Sequence, residues 1–215
     1  MHKITEIGME LDVLGENKRL AEANHALLRG KGVRSIDVMG SIGAGKTALI
    51  IKIAQALKKR GLKVAAVAGD VTGDDDFKRM READVKAVNC NTGHECHLDA
   101  HLVDHAIEHL NLDEVDVLFI ENVGNLVCPS DFPLGTDLRL VLISVTEGDD
   151  MVRKHPDIFH SADVAAINKV DLAGYMEVDV QRIKDDYKRI TGKDMVAVSV
   201  KSGEGVEELI SALGI

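Results

Sequence analysis

From Val33 onward, short aliphatic runs alternate with stretches whose apolar residues recur every three to four positions. The runs are Ile36–Met39, Val64–Ala68, Val85–Val88, Val115–Ile120, Leu140–Val145, Val164–Ile167 and Met195–Val198. They have the length and branched content of strands buried on both faces. Between them, Thr47–Arg60, Leu98–Leu110, Val178–Thr191 and Gly205–Leu213 carry helical spacing. Strands separated by crossover helices predict an α/β domain with a mostly parallel sheet flanked by helices, binding its ligand beyond the carboxyl ends of the strands. Ahead of this, Leu11, Leu14, Leu20, Ala23, Leu27 and Leu28 lie among Glu, Lys and Asn at the spacing of an amphipathic helix ending near Gly30 and Gly32. Residues 1–32 therefore read as a helical extension packed on a domain spanning 33–215. No linker, internal repeat or low-complexity segment interrupts the pattern.

Composition narrows the function classes. The 215 residues are 45% hydrophobic, enough for a real core. Thirty-six acidic against 26 basic residues leave a formal charge of −10, and the pI is near 5.3. That balance argues against a general grip on nucleic acid or on anionic lipid. Aromatic residues are only 3%, so base-stacking platforms are scarce as well. Three cysteines make no closed disulfide framework, the opening residues lack a leader's apolar run, and no stretch approaches the roughly 20 apolar residues of a membrane span. A cytoplasmic, reduced location is expected. One count stands out: of nine histidines, five fall between His94 and His109.

Directly after the first strand, Gly40-Ser41-Ile42-Gly43-Ala44-Gly45-Lys46-Thr47 fits G-x-x-x-x-G-K-[ST] in the required strand–loop–helix setting. A chance match in a chain this long has a probability on the order of 1%. The pattern predicts a P-loop: backbone N–H groups from Gly40 through Gly45 around the β-phosphate, Lys46 on the β/γ charge, and the Thr47 hydroxyl on Mg²⁺. A lysine at position 41, found in a deviant form of this loop, is absent. Asn168-Lys169-Val170-Asp171, at a later strand end, resembles the guanine-recognition box N-K-x-D. A carboxylate at Asp171 can accept from the N1–H and 2-amino groups of guanine, whereas adenine would leave it unpaired. Ser199-Val200-Lys201-Ser202-Gly203 resembles the last guanine-contacting box, with Val200 in place of the usual Ala. GTP and GDP are thus the expected nucleotides. For Mg²⁺, Glu121 at the end of Val115–Ile120 and Asp70 after Val64–Gly69 are the candidates, with Asp76 beside them. Asp74-Asp75-Asp76 reads either as a switch-like loop answering the γ-phosphate or as a solvated helix start. No glutamine or arginine is placed to orient water, so slow intrinsic hydrolysis is expected.

The cysteine and histidine cluster is separate chemistry. His94-Glu95-Cys96-His97-Leu98-Asp99-Ala100-His101 opens the helix Leu98–Leu110, and Cys128 lies seven positions beyond Glu121. Thiolate and imidazole together suit Zn²⁺ or Ni²⁺, not Mg²⁺. Cys96, His97 and Cys128 give a three-ligand set, while His101 and His105, at i+4 and i+8 from His97, are further candidates on a shared helix face. Two such sets across a two-fold axis would make metal binding favour a homodimer. Cys90 reads as packing.

Together with the P-loop and N-K-x-D, three segments resemble the HypB family, the nickel-incorporation GTPases of NiFe-hydrogenase maturation. These are Thr92–His101 (T-G-x-x-C-H-L-D-A-H), Glu121-Asn122-Val123-Gly124-Asn125-Leu126-Val127-Cys128-Pro129, and Ser144-Val145-Thr146-Glu147-Gly148-Asp149-Asp150. The resemblance implies a SIMIBI-type P-loop fold, GTP hydrolysis, a homodimer, and Ni²⁺ or Zn²⁺ on Cys96, His97 and Cys128. It also implies, as partners, the hydrogenase large subunit and a second nickel-maturation protein, and it brings Lys154 near the nucleotide across the dimer. An N-terminal C-x-x-C-type nickel motif and a histidine-rich stretch, present in some members, are missing from this sequence. Two other readings stand beside it. A urease-type nickel-insertion GTPase would usually show Cys-Pro-His and Glu-Ser-Gly-Gly at the corresponding places. A non-catalytic zinc- or nickel-binding scaffold would bind metal without hydrolysing GTP.

Overall fold

The computed structural model describes residues 2–215, with side chains from Asp12 onward, so expectations for Met1 and for the Leu11 side chain lie outside the described residues. Seven strands form one parallel sheet: β1 (Arg34–Gly40), β2 (Val64–Asp70), β3 (Lys86–Asn91), β4 (Val117–Glu121), β5 (Leu138–Ser144), β6 (Val164–Asn168) and β7 (Val196–Ala197). Their order is β3-β2-β4-β1-β5-β6-β7. All seven overlap the aliphatic runs, since strands covered on both faces have no polar side to break the hydrophobic sequence; the edge strand β3, exposed at Lys86 and Asn91, extends three residues past its run. The helices are α1 (His2–Gly30), α2 (Lys46–Lys59), α3 (Asp75–Glu82), α4 (Ala100–Glu108), α5 (Met151–Lys154), α6 (Pro156–Ser161), α7 (Val180–Thr191) and α8 (Val206–Ala212).

Alternate residues of β1 serve different cores. Ile36 and Val38 enter an apolar cluster with Leu49, Ile53 and Phe119, while Met39 enters a second one with Val141, Phe159 and Tyr187. Parallel ladders bring Asp70, Glu121, Gly40 and Asn168 to the carboxyl edge of the sheet. The connection leaving β1 runs to β2 on one side of it, whereas the one leaving β4 runs to β5 on the other, and this reversal opens a crevice above Gly40.

Of the two readings of the Asp74–Asp76 triplet, the helix start holds: Asp75 and Asp76 form the first turn of α3, where carboxylates suit the positive end of the helix dipole. Three expectations are corrected. α5 and α6 were absent from the periodicity because each is under two turns long. α4 begins at Ala100, with Asp99 capping it by accepting from Leu102 N at 2.8 Å. His97 therefore precedes the helix, and the shared face of His97, His101 and His105 does not form. On α1 the buried positions are Asn17, Ala21, Asn24 and Leu28, whereas Ala23 and Leu27 face solvent. Asn24 Nδ2 donates to the carbonyls of Ala100 (2.8 Å) and Leu134 (3.1 Å), and Asn17 accepts from Ala100 N at 2.8 Å. α1 thus docks by meeting buried backbone groups as well as by burying apolar area.

Candidate functional site

The loop between β1 and α2 takes its shape from glycine. Gly40 has φ +149°, and a Cβ there would run into the Leu142 carbonyl of β5. Gly45 has φ +99°, and a Cβ there would lie 2.5 Å from Asn168 Nδ2. Lys46 folds back over the loop, with Nζ donating to Gly40 O at 3.2 Å and Ser41 O at 3.1 Å, and burial pushes its pKa down. The Thr47 hydroxyl lies 2.6 Å from Asp76 Oδ1 and 2.9 Å from Glu121 Oε1. It has one proton for two acceptors. Burial, reinforced by the charge of Asp76, raises the Glu121 pKa to about 7, and Glu121 Oε2 is buried without a partner. A surplus of carboxylate around one hydroxyl suits a divalent cation. These groups, with Asp70, line a cavity of about 460 Å³ beside the loop. Asp70 itself turns back on its own loop, accepting from Val71 N at 2.7 Å.

The N-K-x-D segment closes the other side. Asn168 donates to Ala44 O at 2.8 Å and accepts from Lys169 N (2.7 Å) and Val200 N (3.2 Å), so one amide ties the P-loop to two loops near the expected base position. Lys169, at φ 62°, aims Nζ at Gly43 O, 2.8 Å away. Asp171 accepts from the Ser199 hydroxyl at 2.6 Å, which fixes its carboxylate; Lys201 follows on the exposed turn.

Cys96, His97 and Cys128 come together: one ligand atom from each lies within 4.8 Å of the others, and among the described residues no other group of three potential ligands is so close. The Cys96 and Cys128 sulfurs are 2.8 Å apart, and Cys96 Sγ is 3.8 Å from His97 Nδ1. The hydrogen bond to Cys128 raises the Cys96 pKa, while burial lowers that of His97, keeping the imidazole neutral and its lone pair free. The His97 ring packs on Phe132 with centroids 3.9 Å apart. His101 and His105 are not drawn in. They are exposed on α4 and meet each other edge to face, 4.5 Å between centroids. Cys90 is buried, with its thiol pushed up to about 11 by burial.

Three groups escaped the sequence reading. Arg79, three residues past the acidic triplet in sequence, lines the cavity and lies 3.1 Å from Asp76. Both carboxylate oxygens of Glu147 are buried, and burial raises its pKa against the pull of Ser41, the Ser144 backbone and the nearby Lys169 and Lys46. Asp37, fully buried in β1, has its pKa raised to about 6 by burial, which Arg139 and Asn122 only partly oppose. Arg79 and Asp37 sit in no motif, and Glu147 lies in the Ser144–Asp150 segment without a role assigned to it, so the folded structure is what brings all three into view.

A parallel sheet with a glycine-shaped strand–loop–helix at its central strand, and an acid at the end of the neighbouring strand facing the loop's threonine, defines a P-loop nucleotide-binding protein. Residues 35–197 match the model of the "CobW/HypB/UreG, nucleotide-binding domain" family. The chain belongs to this family, among its HypB hydrogenase maturation factors. It is 50% identical over 211 residues to a "Probable hydrogenase maturation factor HypB" of Methanocaldococcus jannaschii, covering 98% of this chain and 95% of the relative. The crystal structure of hydrogenase maturation factor HypB from Archaeoglobus fulgidus superposes with a TM-score of 0.86 at 45% identity, covering 93% of this chain and 98% of that one. That of HypB from Helicobacter pylori in complex with nickel also gives 0.86, at 33% identity over 92% and 93% of the two chains. The family's proteins are P-loop NTPases, so the fold is one that serves nucleotide hydrolysis. Among the described residues no helix is long and apolar enough to cross a membrane.

Proposed function

We propose that this chain is a cytoplasmic, GTP-hydrolysing metallochaperone that takes Ni²⁺, or Zn²⁺, as cargo on Cys96, His97 and Cys128 and assists nickel insertion into a NiFe-hydrogenase. It works as a homodimer, with the hydrogenase large subunit and a second nickel-maturation protein as partners. One observation carries this reading: Glu121 and Cys128 are joined by a short connection, so the carboxylate that meets the P-loop threonine and a cargo thiol move on the same segment. A change around Glu121 on binding or losing the γ-phosphate is then felt at Cys128, which couples nucleotide state to metal affinity and dimerisation. The nickel complex of the Helicobacter pylori relative supports the choice of cargo.

In this reading Gly40, Ser41, Gly43, Ala44 and Gly45 cradle the phosphates and Lys46 offsets their charge. Asp171, held by Ser199, accepts from guanine, while Asn168 keeps that box locked to the P-loop and Lys169, Val200 and Lys201 flank the base. Thr47, Glu121 and Asp70 would hold Mg²⁺, which neutralises β/γ-phosphate charge when bound, and Asp76 sits beside them. Phosphate release tests the reading. GTP hydrolysis is expected to vanish in Lys46→Ala, and Asp171→Asn is expected to lower the GTP-over-ATP preference at least about 100-fold. Unchanged turnover in Lys46→Ala, or metal binding by a wild type that hydrolyses no GTP, would leave the scaffold reading instead.

A further inference from the structure

A buried charge that takes no part in nucleotide chemistry joins the two segments bearing the cargo ligands. Asp37 is 0% exposed in the middle of β1, on the face that carries Met39. Its Oδ1 accepts from Asn122 Nδ2 at 3.2 Å. Asn122 is itself 0% exposed, directly follows Glu121, and accepts through Oδ1 from Leu98 N at 3.0 Å. This arm ends on the peptide after His97. The other carboxylate oxygen, Oδ2, faces Arg139 Nε at 3.7 Å. Arg139 then donates through Nη1 to Ser130 O at 3.2 Å and through Nη2 to Pro129 O. The second arm ends on the two residues after Cys128.

An ion pair in a strand core stabilises less than an apolar pair of similar volume would, so its presence between Ile36 and Val38 calls for something other than core stability. Both arms grip backbone groups next to cargo ligands, and one of them passes through the residue adjacent to Glu121. We propose that Asp37, Asn122 and Arg139 are positioning residues that set the distance between the Cys96–His97 loop and Cys128, and that they pass the state of Glu121 to that distance. The inference rests on reading Cys96, His97 and Cys128 as the cargo site. Partners that orient metal ligands in this way are worth about 10–100-fold in metal affinity.

The test is a Ni²⁺ titration of Asp37→Asn and Arg139→Gln, followed by the Ni²⁺–thiolate absorption, with GDP and with a non-hydrolysable GTP analogue. Asp37→Asn keeps the shape and the acceptor for Asn122 but removes the charge facing Arg139. Arg139→Gln removes both carbonyl contacts from a side chain that is 16% exposed, and it decides the matter alone if Asp37→Asn does not fold. In folded variants Ni²⁺ affinity is expected to fall at least about tenfold, with a changed thiolate absorption band. The ratio of affinities between the two nucleotide states should shrink toward one, while GDP affinity stays within about twofold, and Arg139→Lys should fall between Gln and wild type. A merely structural brace would lower the melting temperature and leave affinity, spectrum and ratio at wild-type values; that result overturns the proposal. Wild-type Ni²⁺ binding by a Cys96→Ala, Cys128→Ala double variant would instead overturn the cargo-site reading, and the network with it.

Discussion

Asp37 shows how one residue's environment becomes measurable. Its folded pKa of about 6 lies above the ordinary 3.8, so the folded protein holds this proton more tightly than the unfolded chain does. The stabilisation from the protonated form is fully present below about pH 4 and is lost as pH rises through 6. The unfolding free energy of the wild type minus that of Asp37→Asn is therefore expected to fall by roughly 2 kcal/mol between pH 4 and 7. A difference that stays flat across that range, measured by chemical denaturation, would contradict the burial argument. Lys46, Thr47 and Asp171 could be singled out as candidates from sequence because a P-loop and an N-K-x-D box have fixed residue types at fixed spacing. Asp37 was not, because a single acid inside an aliphatic run carries no spacing signal.

At the scale of elements, β1 to β6 and the long helices follow from hydrophobic periodicity, and the deviations have identifiable causes. α1 was expected as a helix with a stripe of leucines and an alanine against the domain, and the structure buries Leu28 of that stripe but also Asn17 and Asn24, while Ala23 and Leu27 face solvent. Periodicity scores apolar residues, so it cannot see a helix docked through side-chain amides. Truncating Asn24 to Ala leaves the Ala100 and Leu134 carbonyls without their donor, and each unsatisfied buried acceptor costs about 1–3 kcal/mol. Denaturant unfolding is expected to show a loss of at least about 1 kcal/mol, and a stability equal to wild type would mean that α1 is held by its apolar contacts alone. The candidate metal ligands had a similar limit. Cys96, His97 and Cys128 were found by ligand chemistry, but adding His101 and His105 assumed that the helix reached back to Leu98. The Asp99 cap stops it at Ala100, which leaves both histidines in solvent.

For the whole molecule, the strand order decides what can be coupled to what. β2, β4 and β1 are neighbours, so Asp70, Glu121 and Gly40 share one edge. The two loops that leave this edge after β3 and β4 carry Cys96–His97 and Cys128. The connection after β4 therefore carries both Glu121 of the candidate nucleotide site and Cys128 of the candidate metal site. The net charge of −10 is compatible with attracting a divalent cargo but selects none.

The most direct measurement is Ni²⁺ and Zn²⁺ titration of the full chain, loaded with GDP or with a non-hydrolysable GTP analogue, for the wild type and the Cys96→Ala, Cys128→Ala variant. Metal affinity that differs between the two nucleotide states by at least about fivefold, and is lost in the double variant, is the expected result. Equal affinity and equal dimer content in both states would contradict a metallochaperone gated by GTP.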